Sequence, residues 1–130
     1  MMQRKESVLK NKVDSYTDRI VKLFRYLKEE KNELYISAQI IRSGTSIGTH
    51  LAESRNAESP KDFVHKLKIA LKEADETKYW LEKLHADEYI DDRGFASMIQ
   101  DNEGIIKLLV ASIITLKQKT IWNDGKKKQS

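Results

Sequence analysis

Cysteine is absent from the chain. Its absence excludes a disulfide framework, a thiolate zinc site, an iron–sulfur cluster and a cysteine nucleophile. Proline occurs once and glycine five times in 130 residues, too few turn-formers for a β-sandwich or barrel of many short strands. No stretch approaches the ~18 consecutive apolar residues that a membrane span requires. The opening Met1-Met2-Gln3-Arg4-Lys5-Glu6 is polar and leads into no signal-peptide core, so the expected address is cytoplasmic. The length suits one domain able to bury roughly two-thirds of its unfolded surface. Charged residues reach 34% against 8% aromatic, which leaves a soluble, helix-favouring domain.

Apolar residues recur with a 3.5-residue period in four segments. The first is Leu9, Val13, Tyr16, Ile20, Leu23 and Leu27, widened by Phe24. The second is less apolar: Ser37, Ile41, Gly44, Gly48 and Ala52, flanked by Ile40, Ile47 and Leu51. The third is Phe63, Leu67, Ala70, Ala74, Thr77, Leu81 and Leu84. The fourth is Phe95, Ile99, Asn102, Ile106, Leu109, Ile113 and Leu116. Glu29–Glu33 forms a polar hinge. Ser59-Pro60 starts a helix, since Ser59 can cap, Pro60 fits the first helical position and Asp62 complements the helix dipole. Asp91-Asp92-Arg93-Gly94 divides the third segment from the fourth. Short links make consecutive helices antiparallel neighbours. The expected fold is an all-α, up-down-up-down antiparallel four-helix bundle over residues 1–121, followed by a basic, disordered tail over 122–130.

Two features of the seams stand out. Asn102 either fixes register or oligomer state from the core or reaches water near a helix end. Gly44, Gly48 and Ala52 form a small face that favours a close helix crossing inside the bundle over a dimer contact.

The sequence offers little to catalysis, and no enzyme activity is expected. A di-metal carboxylate bundle needs Glu-x-x-His on two helices and a Glu from each of the others. Only Glu82-Lys83-Leu84-His85 matches, His50-Leu51-Ala52-Glu53 runs in reverse, and the fourth helix has no histidine. Gly44-Thr45-Ser46-Ile47-Gly48 lacks the lysine and preceding strand of a P-loop, and no serine sits in a nucleophile-elbow motif. No metal and no cofactor are expected.

Binding is the better prospect. Arg42, Ser46, Thr49 and Glu53 share a face of the second helix. Lys66, Lys72, Glu73 and Glu76 lie on the facing part of the third, beside Tyr79 and Trp80. Arg42 can pair with Glu53 or Glu76 through its planar fork, giving a polar network between helices or subunits. A groove for an anionic ligand is the alternative. Trp80, off the main seam, suits an interface anchor and hence a homo-oligomer. Lysine and arginine total 24 against 20 acidic residues, a net +4, and the whole excess can be found in residues 1–31. Lys5, Lys12 and Arg19 recur every seven residues, with Lys22 and Arg25 beside them. Such a stripe is either the footprint of phosphate contacts or a solvated helix face. The lysines of the tail, 126–128, offer at most a weak further contact.

The runs Gln39–Glu53 and Asp62–Leu81 resemble the 23S rRNA intervening-sequence protein family, small four-helix bundles encoded within bacterial large-subunit rRNA genes. The resemblance rests on an Arg-Ser-x-x-Ser-Ile block ending in Ala-Glu, and on a Phe followed by a Lys-Glu-x-x-Glu-Thr block. The matching positions are Arg42, Ser43, Ser46, Ile47, Ala52, Glu53, Phe63, Glu73, Glu76, Thr77 and Trp80. The family is in turn similar to accessory proteins of diversity-generating retroelements, pentameric barrels that bind nucleic acid and a reverse transcriptase through a basic surface. Those accessory proteins are typically more basic than this chain. The resemblance therefore implies a homo-oligomer, a pentamer, with RNA or DNA as partner. A structural or protein-interaction module without a nucleic-acid role is the alternative.

Overall fold

The four periodic segments form four helices: α1 (Arg4–Glu29), α2 (Tyr35–Ser54), α3 (Pro60–Ala86) and α4 (Asp92–Gln129). The computed structural model describes residues 4–129, with side chains as far as 119. The backbone of 122–129, expected as a tail, continues α4; its side chains lie outside the described residues.

Local chemistry sets each boundary. Ser59 accepts a hydrogen bond from the Asp62 amide at 3.0 Å, with Pro60 in the first turn, and so caps α3. Of the two candidates at α4, Asp91 is the cap, accepting from the Gly94 amide at 2.7 Å. Asp92 turns to His85 instead, 2.7 Å from its Nε2. At α2 the residue before the helix is Leu34, which cannot cap. The buried Glu33 carboxylate takes that role and accepts from the Ser37 amide at 2.8 Å. The hinge turns through Asn32 (φ 51°), and the α3–α4 link turns through Glu88 (φ 65°). Both are left-handed conformations, which asparagine tolerates better than glutamate.

Each helix packs against its neighbours in sequence, α4 closes onto α1, and among the described residues the diagonal helices make no close backbone approach. Cross-helix pairs run in opposite senses: Arg42 with Glu76 and Glu53 with Lys66 across α2–α3, Lys78 with Glu103 and His85 with Asp92 across α3–α4. Across α1–α4, Arg19 meets Asp101 while Lys12 lies beside Gly104. The bundle is thus up-down-up-down, as the short links require.

The core stripes of α1 and α3 fall as the sequence period places them, with Val13, Ile20, Leu27, Ala70, Ala74, Thr77, Leu81 and Leu84 all fully or almost fully enclosed. Full burial of one such leucine or isoleucine contributes about 1.5–3 kcal/mol. The stripe of α2 is rotated relative to expectation. Ile36, Ile40, Ser43, Gly44, Ile47 and Ser54 face inward, whereas Ala52 is exposed. Serine can occupy these positions because its hydroxyl bonds the preceding turn: Ser54 donates to the Leu51 carbonyl at 2.5 Å and Ser37 to the Glu33 carbonyl at 2.7 Å. Gly44 and Gly48 face α1. A Cβ at Gly44 would stand 2.7 Å from Ile20 Cγ2, and one at Gly48 would stand 3.5 Å from Val13 Cγ1. The small face therefore serves a close crossing within the bundle, without Ala52.

Candidate functional site

Two surfaces carry the residues that the sequence singles out. The first lies across α2 and α3. The Arg42 guanidinium donates to Glu76 and, at 3.2 Å, to Glu73. The Glu76 hydrogen bond, ahead of burial and Glu73, shifts the arginine and leaves it more firmly charged than usual. Glu76 also accepts from Trp80 Nε1 at 3.2 Å. Glu53 pairs with Lys66 at 3.6 Å and not with Arg42. Ser46 donates to the Arg42 carbonyl at 2.6 Å and Thr49 to the Thr45 carbonyl at 3.2 Å. Beneath this layer Thr77 donates to the Glu73 carbonyl at 2.8 Å, and its hydroxyl meets that of Ser43 at 3.0 Å. The network ties two helices of one chain. Its arginine faces two carboxylates, so the face is poorly suited to an anion. Tyr35 and Tyr79 stand edge-on to Trp80, with ring centres at 6.4 and 4.9 Å. Both tyrosines are more than half exposed, as is Leu34, so an apolar patch adjoins the acidic network. Trp80 itself is half-buried against the core.

The second surface is the flank of α1. Lys5, Lys12 and Arg19 point toward α4 rather than away from the bundle. Arg19 pairs with Asp101 and donates to Ser97 Oγ at 2.8 Å. Lys12 lies near Gly104, and Lys5 lines a cavity at the end of the bundle. Lys22 and Arg25 are exposed. None of Lys5, Lys12, Lys22 and Arg25 forms an ion pair among the described residues. Arg19 is thus part of the helix packing, and the others remain available. Asp101 and Ser97 lie 82 and 78 positions from Arg19, and nothing in the local sequence marks them as its partners.

Beside that pairing, Asn102 is fully buried, almost three turns into α4, which removes the reading in which it reaches water. Its amide nitrogen donates to the Tyr16 hydroxyl at 3.0 Å and to the Ala74 carbonyl at 3.1 Å. Its oxygen has no protein partner. Burial pushes the Tyr16 hydroxyl well above the usual tyrosine range, against the opposing hydrogen bond from Asn102.

The two ends of the bundle differ in charge. The end formed by the α1–α2 and α3–α4 links carries Glu29, Glu30, Glu33, Asp87, Glu88, Asp91 and Asp92 against Lys28, Lys31 and Arg93, an excess of negative charge. The opposite end carries Lys5, Lys10, Arg55, Lys61, Lys117 and Lys119 against Glu6, Glu58 and Asp62, an excess of positive charge. There Lys68 and Lys117 approach closely enough that Lys117 pushes the Lys68 ammonium down. A cavity of about 610 Å³ also opens at this basic end, lined by residues of all four helices. As for the di-metal motif, His85 stacks on Phe95 at 4.2 Å and pairs with Asp92. No three His, Cys, Asp or Glu among the described residues are placed to share a metal ion. No helix among them is long and apolar enough to cross a membrane.

The family model of the 23S rRNA-intervening sequence protein matches residues 5–111, most of the chain. The chain belongs to this family. A solved structure of a protein of unknown function from the S23 ribosomal protein family of Bacteroides thetaiotaomicron is similar to it, at 47% identity and a TM-score of 0.83, covering 84% of this chain and 97% of that one. No curated protein matches. In this member of the 23S rRNA-intervening sequence protein family, the positions that carry the sequence resemblance divide between packing and surface. Ser43, Ile47 and Thr77 are buried, whereas Arg42, Glu53, Glu73, Glu76 and Trp80 build the polar network. The sequence pattern did not reveal Tyr35 as part of that surface; an aromatic beside the hinge is the signal that could have. Nor did it reveal the cavity.

Proposed function

We propose that this protein is a non-catalytic, cytoplasmic homo-oligomer that binds structured RNA through the basic flank of α1 and the adjoining basic end of the bundle. The observation that carries the reading is the set of cations without acidic partners among the described residues, Lys5, Lys12, Lys22 and Arg25, on a helix with eight basic and four acidic residues. Lysines from α3 and α4 crowd together at the same end of the molecule, which supports a phosphate-facing surface. The pentameric state and nucleic-acid binding implied by the likeness to retroelement accessory proteins support it further. In a ring the flank would repeat and multiply a modest field. The exposed Leu34, Tyr35 and Tyr79 beside Trp80 supply an apolar patch for the subunit contact.

The test is fluorescence anisotropy of a labelled structured RNA across a salt series, on protein whose oligomeric mass is measured in parallel. Binding should weaken steeply with salt, and Lys12→Glu with Lys22→Glu should flatten that dependence by about one unit of slope per lysine. Absence of binding at low salt overturns the reading. The aromatic patch favours the second reading, a protein-interaction module. Under it Tyr35→Glu with Tyr79→Glu lowers the oligomeric mass while RNA is ignored throughout.

A further inference from the structure

We propose that the cavity at the basic end binds a single-chain anionic amphiphile, a free fatty-acid carboxylate of medium length, one per chain. α1 and α4 are tied through Tyr16, Arg19, Asn102 and Asp101. Beyond these ties, a space of about 610 Å³ is lined by residues of all four helices, from Lys5 to Lys10 on α1 and from Leu108 to Lys119 on α4. That volume is ordinary for a small-molecule site. Leu9 and Leu67, both nearly inaccessible, form its floor, and Phe63, Leu108 and Leu116 its walls. The face that α4 presents runs from Leu108 to Lys119, about 16 Å along the helix at ~1.5 Å per residue, roughly the length of an extended dodecyl chain. Lys5 and Lys119 stand on opposite sides, with the hydroxyls of Ser112 and Thr115 beside them. Glu6 also lines the space, and Lys10 is already committed to Asp14. An apolar floor and walls beneath Lys5 and Lys119, with Arg55 also lining the space, complement an aliphatic tail with a negative head. A neutral lipid would leave the lysines unused, and a compact polar anion would leave the leucines unfilled. Ser112, Thr115, Leu116 and Lys119 lie beyond the residues matched by the family model, so this site rests on this chain's own continuation of α4.

The experiment is isothermal titration of the full-length protein with octanoate, decanoate and dodecanoate below their micelle concentrations. Saturable binding of one anion per chain is expected, strengthening on the order of tenfold for every two methylenes. Lys5→Glu with Lys119→Glu should weaken dodecanoate at least tenfold. Ser112→Phe should abolish it while helicity and oligomeric mass stay unchanged. Binding of dodecanol as tight as that of dodecanoate overturns the role of the lysines. Binding to phosphatidylglycerol vesicles without binding of the free acid overturns the proposal in favour of a membrane surface. A change of oligomeric mass in Ser112→Phe, with no uptake of dodecanoate by the parent protein, also overturns it and gives the cavity to a second copy of the chain.

Discussion

Helix α1 has two seams, and they are built on opposite plans. Toward α2 it meets a backbone: Gly44 is pressed so closely against Ile20 that a single added carbon would collide with it. Toward α4 the glycine is Gly104, and a Cβ there would meet nothing nearer than the Lys12 ammonium at 3.8 Å. The first seam is closed by shape and joined by the 30–34 link. The second has no link and is held by polar ties, Asn102 to Tyr16 and Arg19 to Asp101, beyond which it opens into the cavity. Packing without polar partners tolerates no added volume, whereas a polar tie sets register without requiring close approach along its whole length.

The sharpest way to break the contrast is Gly44→Leu. Overfilling the tight seam should cost about 3 kcal/mol, read as a lower midpoint in urea denaturation. On the other side, Asn102→Ala should cost about 2–3 kcal/mol, because it opens a void and removes the partner of Tyr16. Asn102→Leu should lose much less, since it also removes an oxygen that has no protein partner. If leucine proves as damaging as alanine, the oxygen has a partner after all. Tyr16 adds a pH signature. Its folded-state pKa is raised, so its contribution is complete below the unfolded tyrosine value of about 10 and fades above it, by about 1.4 kcal/mol per pH unit. Tyr16→Phe should remove that part of the alkaline decline. Gly104→Ala should stabilise by up to ~1 kcal/mol through helix propensity alone, the opposite sign to Gly44. The smallest effect is expected from a double-mutant cycle on Arg19 and Asp101. Both side chains are more than a third exposed, so a coupling of about 0.5 kcal/mol that shrinks with added salt is expected.

Those seams also show what a sequence can disclose. The stripes of α1 and α3 were legible because large aliphatic residues announce their face. The stripe of α2 is only partly as the period places it: Ser37 and Gly44 are inside, but Ile40, Ser43, Ile47 and Ser54 join them in place of Ala52, because small residues mark no face strongly and a serine hydroxyl can bond its own preceding turn. Ser43 and Ser54 are inside, and Ala52 is outside. The Arg42 network was legible in outline, since Glu76 was among its expected partners. The heptad spacing puts Lys5, Lys12 and Arg19 on one flank of α1, of which Arg19 is taken up by Asp101 and Ser97 of α4 while Lys5 and Lys12 stay exposed. A one-dimensional pattern cannot distinguish a free cation from one whose carboxylate arrives from another helix. The cavity was invisible for a related reason, because its lining comes from all four helices.

The α1–α4 seam carries a further consequence in time. Three of the four interfaces join consecutive helices and can close as local hairpins, whereas α1 and α4 must find each other across most of the chain. Closing so long a loop is entropically the slowest step available to a bundle otherwise rich in local contacts. Asn102 and Tyr16 then belong to the last contacts to form. Losing them should speed unfolding and leave the rate of folding almost unchanged, so the buried amide acts as a latch on the finished bundle and not as part of its nucleus.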